Sequence, residues 1–586
     1  MACWLIAATM LGSRHLDAEQ ARQEPQEPMQ GISPGAVSTS ITTVHGVVRN
    51  SVSGEPLTRA LVRINGDAMT GALTDDSGRF ELPDVPVGPQ EFEVMRPGFL
   101  DQAVAAAEDS RENTRTFGHN ILVSTGMPDV VFSMSPVNSI RGRIELSTGD
   151  PAQGIQVTLL RRTVQDGRAE WETASNAKTN SEGTYRFGGL TDGSYALYSE
   201  PAMDSDSATN LVDAGRGNNV ARSGYASQFY PDARDLAGAA KIRVAGGEQA
   251  EANFSLTLEP FQSVTATLSF PGSGNANRAG SESNYSILVL DGLGHQLAYT
   301  ARYDESSHSI QAFLPDGSYS ISVTQTSAVF RVANRSGSSF SAVPAGSQSV
   351  SGQVDFTVAG HAVSNLRIPL AIRRRGPVEV GVARNATGRP SQAKDSGIFV
   401  TLSQTGGWIS DGMISSYAEG SSAAQLETNF TPPGSYWAHT AIAQKGLCVT
   451  SLTTGGVDLA REPLVLGTSG PAAPLTLALR DDCATLNLSL SGTMGSPVTG
   501  EEPFYTVYAV PDSPSTEDVV PQTLRPSTGG RVTLSGLTPG TYHVYAFERP
   551  VALEYRNPAV MAPLTGQAVT LSPGETSDLI VEVGQH

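Results

Sequence analysis

Residues 532–547 read VTLSGLTPGTYHVYAF. An apolar-polar run meets a turn made of Thr, Pro and Gly, and a second run then alternates from Tyr542 through Val544. Alternation with period two marks a strand with one buried face. The same grammar appears in FELPDVPVGPQEFEV (Phe80–Val94), YRFGGLTDGSYALYS (Tyr185–Ser199), IQAFLPDGSYSISV (Ile310–Val323) and ETNFTPPGSYWAHTA (Glu427–Ala441). Gly88, Gly193, Gly317, Gly434 and Gly540 occupy the turn, and Tyr195, Tyr319, Tyr436 and Tyr542 follow two residues later. The first copy is degenerate, with Pro89 inserted and Phe92 in place of the tyrosine. The pattern predicts tight turns in which glycine supplies a positive φ. Pro433 and Pro539 pre-set the preceding turn position.

Each copy is followed by a closing run: GGEQAEANFSLTL (Gly246–Leu258), AGHAVSNLRIPLA (Ala359–Ala371), GTSGPAAPLTLAL (Gly467–Leu479) and SPGETSDLIVEV (Ser572–Val583). After the first three, a fresh strand opens at Val264–Phe270, Val378–Val382 and Ala484–Leu490. Boundaries therefore fall near residues 137, 260, 375 and 483. The expected layout is a signal segment and disordered linker (1–36), then units at 37–137, 138–260, 261–375, 376–483 and 484–586. The second carries a surface insertion at 200–240. Units of roughly 95–125 residues are ordinary domain sizes. Helical periodicity is confined to Gln102–Arg111. The predicted fold is all-β: tandem antiparallel β-sandwiches, prealbumin-like or immunoglobulin-like, joined by short linkers.

Composition narrows the function. Asp and Glu number 58 against 39 Lys and Arg, a net charge of −19, and the lysines are only Lys178, Lys241, Lys394 and Lys445. Such a chain lacks the clustered cations that nucleic acid requires. No apolar run reaches the ~18 residues of a membrane-spanning helix. Met1–Gly12 (MACWLIAATMLG) precedes a Gln- and Pro-rich stretch and reads as the core of a secretory signal. Cys3 lies in that segment. Cys448 and Cys483 bracket one strand–loop–strand unit, and a disulfide between them would contribute ~3 kcal/mol. The expected location is secreted, periplasmic or on the outer cell surface of a bacterium.

Two stretches resemble the carboxypeptidase regulatory-like domain. Residues 44–95 carry Gly46, Gly54, Pro56, Ala60, Thr74, Asp75, Gly78 and Phe80 at the family's positions. Residues 139–199 carry Gly142, Gly154, Thr179, Gly183, Tyr185, Gly193 and Tyr195. The resemblance implies a transthyretin-like or starch-binding-like sandwich of seven strands. It weakens from 200 to 371, and only the closing hairpin survives beyond. The loop Gln228-Phe229-Tyr230-Pro231, the closure Ile242–Glu248 and the segment Gly456–Leu464 make the chain similar to multi-repeat exported proteins of acidobacterial type.

Catalytic motifs are missing from the sequence. No histidine has Glu three residues on, and no H-E-x-x-H occurs. His45, His119, His295, His361, His439 and His543 are scattered, as surface or satisfied histidines are. The one G-x-S-x-G, Gly31–Gly35, lies in the linker with Pro34 after the serine, where no nucleophile elbow can form. Thr74–Gly78 and the pair Asp204/Asp206 raise calcium, but turn chemistry accounts for the first without an ion. Units one, three and five lack lysine, which excludes a general Lys–Asn crosslinked stalk. Tyr225, Phe229, Tyr230, Trp171 and Trp408 are candidates for stacking on sugar rings, whereas Trp437 reads as core or a plug over the sandwich end. The expectation is a non-catalytic, cofactor-free exported protein acting as a cell-envelope spacer, adhesive or protein-binding module. Its partner would be an extracellular protein or polysaccharide. The alternatives are a carbohydrate-binding protein aiding polysaccharide capture and an accessory subunit of an outer-membrane assembly.

Overall fold

The computed structural model describes residues 40–584 apart from 65–70, 102–118, 205–221, 270–284, 293, 306, 308, 327–329, 334–338, 343–348, 374–375, 384–397, 407–412, 417–423, 427–430, 443–445, 492–504, 518, 525–529 and 549–550. The expected signal and linker, the expected helix at Gln102–Arg111, and Trp408, Asp206, Lys394 and Lys445 lie outside the described residues.

The described chain is nearly all strand, arranged as successive two-sheet sandwiches. The first unit sets the pattern. One sheet contains Arg79–Pro86, Ile41–Asn50, Val130–Pro136 and Phe99–Asp101; the other contains Gly71–Leu73, Leu61–Ile64, Gly88–Met95 and His119–Val123. Alternate residues Val44, Val48, Phe80, Leu82, Phe92, Val94 and Phe132 meet between the sheets. Four further cores follow, centred on Ile140 and Tyr195, Val264 and Ile321, Leu402 and Leu477, and Leu486 and Val544.

Most pairs are antiparallel, but every unit also contains a parallel pairing of its opening strand with its closing strand. Ile41–Asn50 lies parallel to Val130–Pro136, and Asn138–Leu146 to Gln249–Glu251 and Phe254–Leu256. Leu258–Ser269 pairs likewise with Val363–Pro369, Gly376–Ala383 with Leu475–Arg480, and Ala484–Ser491 with Thr576–Glu582. The closing run returns along the opening strand and satisfies its outer hydrogen-bonding edge, so each unit seals itself.

The repeated glycines work differently from the sequence expectation. Gly88 and Gly540 have positive φ, 126° and 158°, but Gly193, Gly317 and Gly434 do not. Here the ring of the tyrosine two residues on lies over the glycine. A Cβ on Gly317 would stand 2.8 Å from Tyr319 Oη, and one on Gly434 3.4 Å from the Tyr436 ring. The hydroxyls of Tyr195, Tyr436 and Tyr542 donate to the carbonyls of Thr191, Pro432 and Thr538 at 2.9, 2.8 and 2.8 Å. Each is a tyrosine corner, in which a buried phenol ties a strand start to the turn before it.

The described residues of the 200–240 insertion pack against two units and do not form a free surface loop. Ala202–Met203 and Arg222–Tyr225 extend the third unit's sheet, with Tyr225 opposite Leu258 and Arg222 opposite Phe261. The Arg222 guanidinium lies 4.2 Å from the Phe313 ring centroid. Residues 226–240 cover the outer face of the second unit's sheet, burying Leu160, Tyr198 and Phe229. That face is rich in apolar side chains, so burial outweighs leaving the segment in water.

Candidate functional site

The strands Gln156–Gln165 and Arg168–Lys178 form one long hairpin of the second unit, paired from end to end with a bulge between Leu159 and Leu160. Its tip is Asp166-Gly167, with φ 46° and 66°. Two successive positive φ angles define a type I′ turn, for which Asp-Gly is a favoured pair. The tip reaches the fourth and fifth units. The Asp166 side chain, 2% exposed, lies 2.9 Å from both Arg168 and Arg556 and 3.4 Å from His439 Nδ1. Tyr555 Oη donates to it at 2.5 Å.

Arg556 ties the three units together. Its Nε donates to the Asp166 carbonyl at 2.9 Å, and its two terminal nitrogens donate to the carbonyls of Ala460 (3.3 Å) and Ser515 (2.6 Å). Its backbone N–H donates to the Gly167 carbonyl at 3.1 Å. Arg162 and Glu554 form an ion pair at 2.6 Å beside it, and the Arg168 guanidinium stacks 3.7 Å from the Trp437 ring centroid. Burial raises the Asp166 carboxyl, but hydrogen bonding to His439 and the charge of Arg556 outweigh this and hold it below the usual carboxylate range. The same burial, with the neighbouring Arg556, lowers Arg168.

A cleft of about 780 Å³ opens alongside this junction, lined by Arg162, Arg168, Trp437, Arg461, Tyr555 and Asn557 among others. Ser403 Oγ sits 3.0 Å from His439 Nε2, so an Asp–His–Ser series exists: Asp166, His439, Ser403. Neither His439 nor Ser403 lines the cleft, and His439 is 3% exposed. The series therefore does not open onto this cleft, and its Asp166–His439 contact joins the second unit to the fourth.

The stacking candidates are dispersed. Phe229 is 3% exposed and packs 4.9 Å from the Tyr198 ring, which removes it as a sugar platform. Tyr230 packs edge-on against Phe254 at 5.9 Å, and Tyr225 borders the same core. Trp171 carries the Lys241 ammonium 4.7 Å from its ring centroid. Sequence reasoning missed Asp166, Arg556 and Tyr555; the Asp-Gly dipeptide between two strand-like runs was the only readable trace. Cys448 and Cys483 are joined in a disulfide, Cα atoms 5.9 Å apart, at the boundary of the fourth and fifth units. Among the described residues no three His, Cys, Asp or Glu side chains gather as a metal site.

At Thr74–Gly78, Asp75 Oδ1 accepts from the backbone N–H of Ser77 (2.9 Å) and Arg79 (2.8 Å), and from Ser77 Oγ (2.8 Å). Thr74 Oγ1 accepts from Ala60 N at 2.8 Å and donates to the Leu57 carbonyl at 2.6 Å. This is a turn stitched by its own side chains. Gly46 and Gly78 admit no Cβ, which would stand 2.3 Å from the Val130 carbonyl and 2.7 Å from that of Val48. The family model of the carboxypeptidase regulatory-like domain matches here. The match covers residues 43–117. The second unit repeats the hydrogen bonds made by Thr74: Thr179 bridges Ile155 N (2.9 Å) and the Ala152 carbonyl (2.5 Å). Asn180 replaces Asp75, accepting from Glu182 N at 3.0 Å and Thr184 N at 2.9 Å.

No curated protein matches the chain. Among solved structures it is similar to the minor pilin GBS52 of Streptococcus agalactiae, at 13% identity over 40% of this chain and 99% of that one, TM-score 0.18. It is similar to the TIE protein of Bacillus anthracis at 10% identity over 94% and 76% of the two chains, TM-score 0.15. The major pilin subunit BcpA of Bacillus cereus gives 9% identity over 76% and 99%, TM-score 0.13. No helix among the described residues is long and apolar enough to cross a membrane.

Proposed function

We propose that the protein is a non-catalytic, exported binding module of the cell envelope, whose sandwiches are locked into a set arrangement to present surfaces to an extracellular protein or polysaccharide. The observation that carries this reading is the junction at Asp166. A two-residue turn is held by side chains of two other units, with one carboxylate engaging two arginines, a histidine and a phenol. The Asp166 and Glu554 carboxylates are both engaged in pairs that join units. Fixed geometry suits adhesion, because ordering costs are met on folding and not again at binding. The disulfide supports an oxidising compartment.

Fractionation of producing cells, with thiol labelling before and after reduction, tests the reading. The expected result is protein in the envelope or medium with Cys448 and Cys483 protected until reduced. Protein confined to the cytosol with both thiols free would overturn it.

A further inference from the structure

We propose that the cleft between the second, fourth and fifth units binds a neutral oligosaccharide, with Trp437 and Tyr555 as the ring platforms. This rests on the binding-module reading above and names its ligand. The charge balance of the lining decides the chemistry. Arg162 is paired with Glu554 at 2.6 Å, Arg168 and Arg556 with Asp166 at 2.9 Å each, and Arg461 with Asp458 at 3.4 Å. The lining itself sets Arg162, Arg168, Arg461 and Arg556 against Asp512, Glu517 and Glu554, so little net field remains for an anion, but many N–H and carboxylate groups stand in set directions. A ligand that is rich in hydroxyls and uncharged matches that wall, since hydroxyls both donate and accept.

Two aromatic rings complete the fit. Trp437 and Tyr555 are part-exposed and line the cleft, and each has one side held by the hairpin tip. Arg168 stacks on the first at 3.7 Å, and Gly167 lies so close to the second that a Cβ would be 2.7 Å from the ring. Rings clamped in this way lose little entropy on binding the C–H face of a sugar. The volume of about 780 Å³ accommodates a few sugar residues, within the usual range for small-ligand sites.

The test titrates full-length protein with maltohexaose, cellohexaose, xylohexaose and chitohexaose, following tryptophan fluorescence. At least one is expected to give a saturable change. Trp437→Phe should weaken it about 3- to 10-fold, the loss of part of the stacked indole, and Trp171→Phe, which does not line the cleft, should leave the affinity unaltered. Arg461→Ala, at the exposed rim, should weaken binding with the melting temperature unchanged. A flat titration with all four sugars would overturn the proposal, as would saturable binding indifferent to Trp437→Phe. A flat titration of a protein that fractionates with the envelope refutes the ligand alone; a cytosolic protein refutes the reading beneath it.

Discussion

A methyl group added to Gly317 would meet the Tyr319 hydroxyl at 2.8 Å, whereas one added to Gly193 would stand 3.6 Å from the Tyr195 ring, an ordinary contact. The two glycines hold the same place in the repeat, so they separate packing from repetition. Gly317→Ala must move a buried phenol or the strand that carries it, a cost of about 1–3 kcal/mol. Gly193→Ala should cost less than about 1 kcal/mol, since its φ is not positive and the added contact is ordinary. Thermal unfolding of the two variants checks this; equal losses would show that the glycines serve backbone conformation alone. The sequence made the Gly-to-Tyr spacing plain, but not why it recurs. Period-two alternation identifies which side chains turn inward. It does not show that the ring folds back over its own turn to reach the carbonyl of Pro432 or Thr538.

At the scale of elements, two staples differ in how they are made and in how readable they were. Cys448 and Cys483 close a loop with a sequence separation of 35. Removing the link by Cys448→Ser with Cys483→Ser should cost about 3–4 kcal/mol through the entropy of the unfolded chain. The measurement is denaturant unfolding of both forms; a loss under about 1 kcal/mol would show that strand pairing already fixes the loop. Two cysteines beside strands were legible because few residue types pair covalently. The Asp-Gly hairpin was legible only as a turn. Gly167→Ala should release its tip, because φ 66° disfavours a side chain and the Cβ would strike the Tyr555 ring. The hairpin itself should persist, since its strands pair along their whole length. Amide exchange should therefore accelerate at Tyr555 and Arg556 while residues 157–164 stay protected. Uniform acceleration across both would contradict the separation of tip from stem.

For the whole molecule, the controlling contact joins residues 389 apart in sequence, Asp166 and Tyr555. No local pattern announces such a meeting. Repeats disclose how each sandwich closes, as the parallel return of Thr576–Glu582 along Ala484–Ser491 illustrates, but the docking of one sandwich on another depends on side chains outside the repeated motif. Asp166→Ala would strand Arg168 and Arg556 at a buried site, and breaking such a pair costs about 3–5 kcal/mol. The backbone bonds of Arg556 and the Arg162–Glu554 pair remain, but with two buried cations facing each other the second unit should move apart from the fifth. Small-angle scattering should then show a larger radius of gyration with each sandwich intact by circular dichroism. Acid should do the same to the wild type. The Asp166 carboxyl is held below its ordinary value of 3.8, so its stabilising contribution is complete above that pH and is lost as pH falls through the lowered value. His439, Arg168, Arg556 and Tyr555 surround it, and protonating the carboxylate leaves the cations facing one another. The radius of gyration should be constant from about pH 8 to 5 and rise only below about pH 4. In Asp166→Ala it should already be large at neutral pH and insensitive to this interval. Expansion of the wild type at pH 6 would place the controlling proton elsewhere.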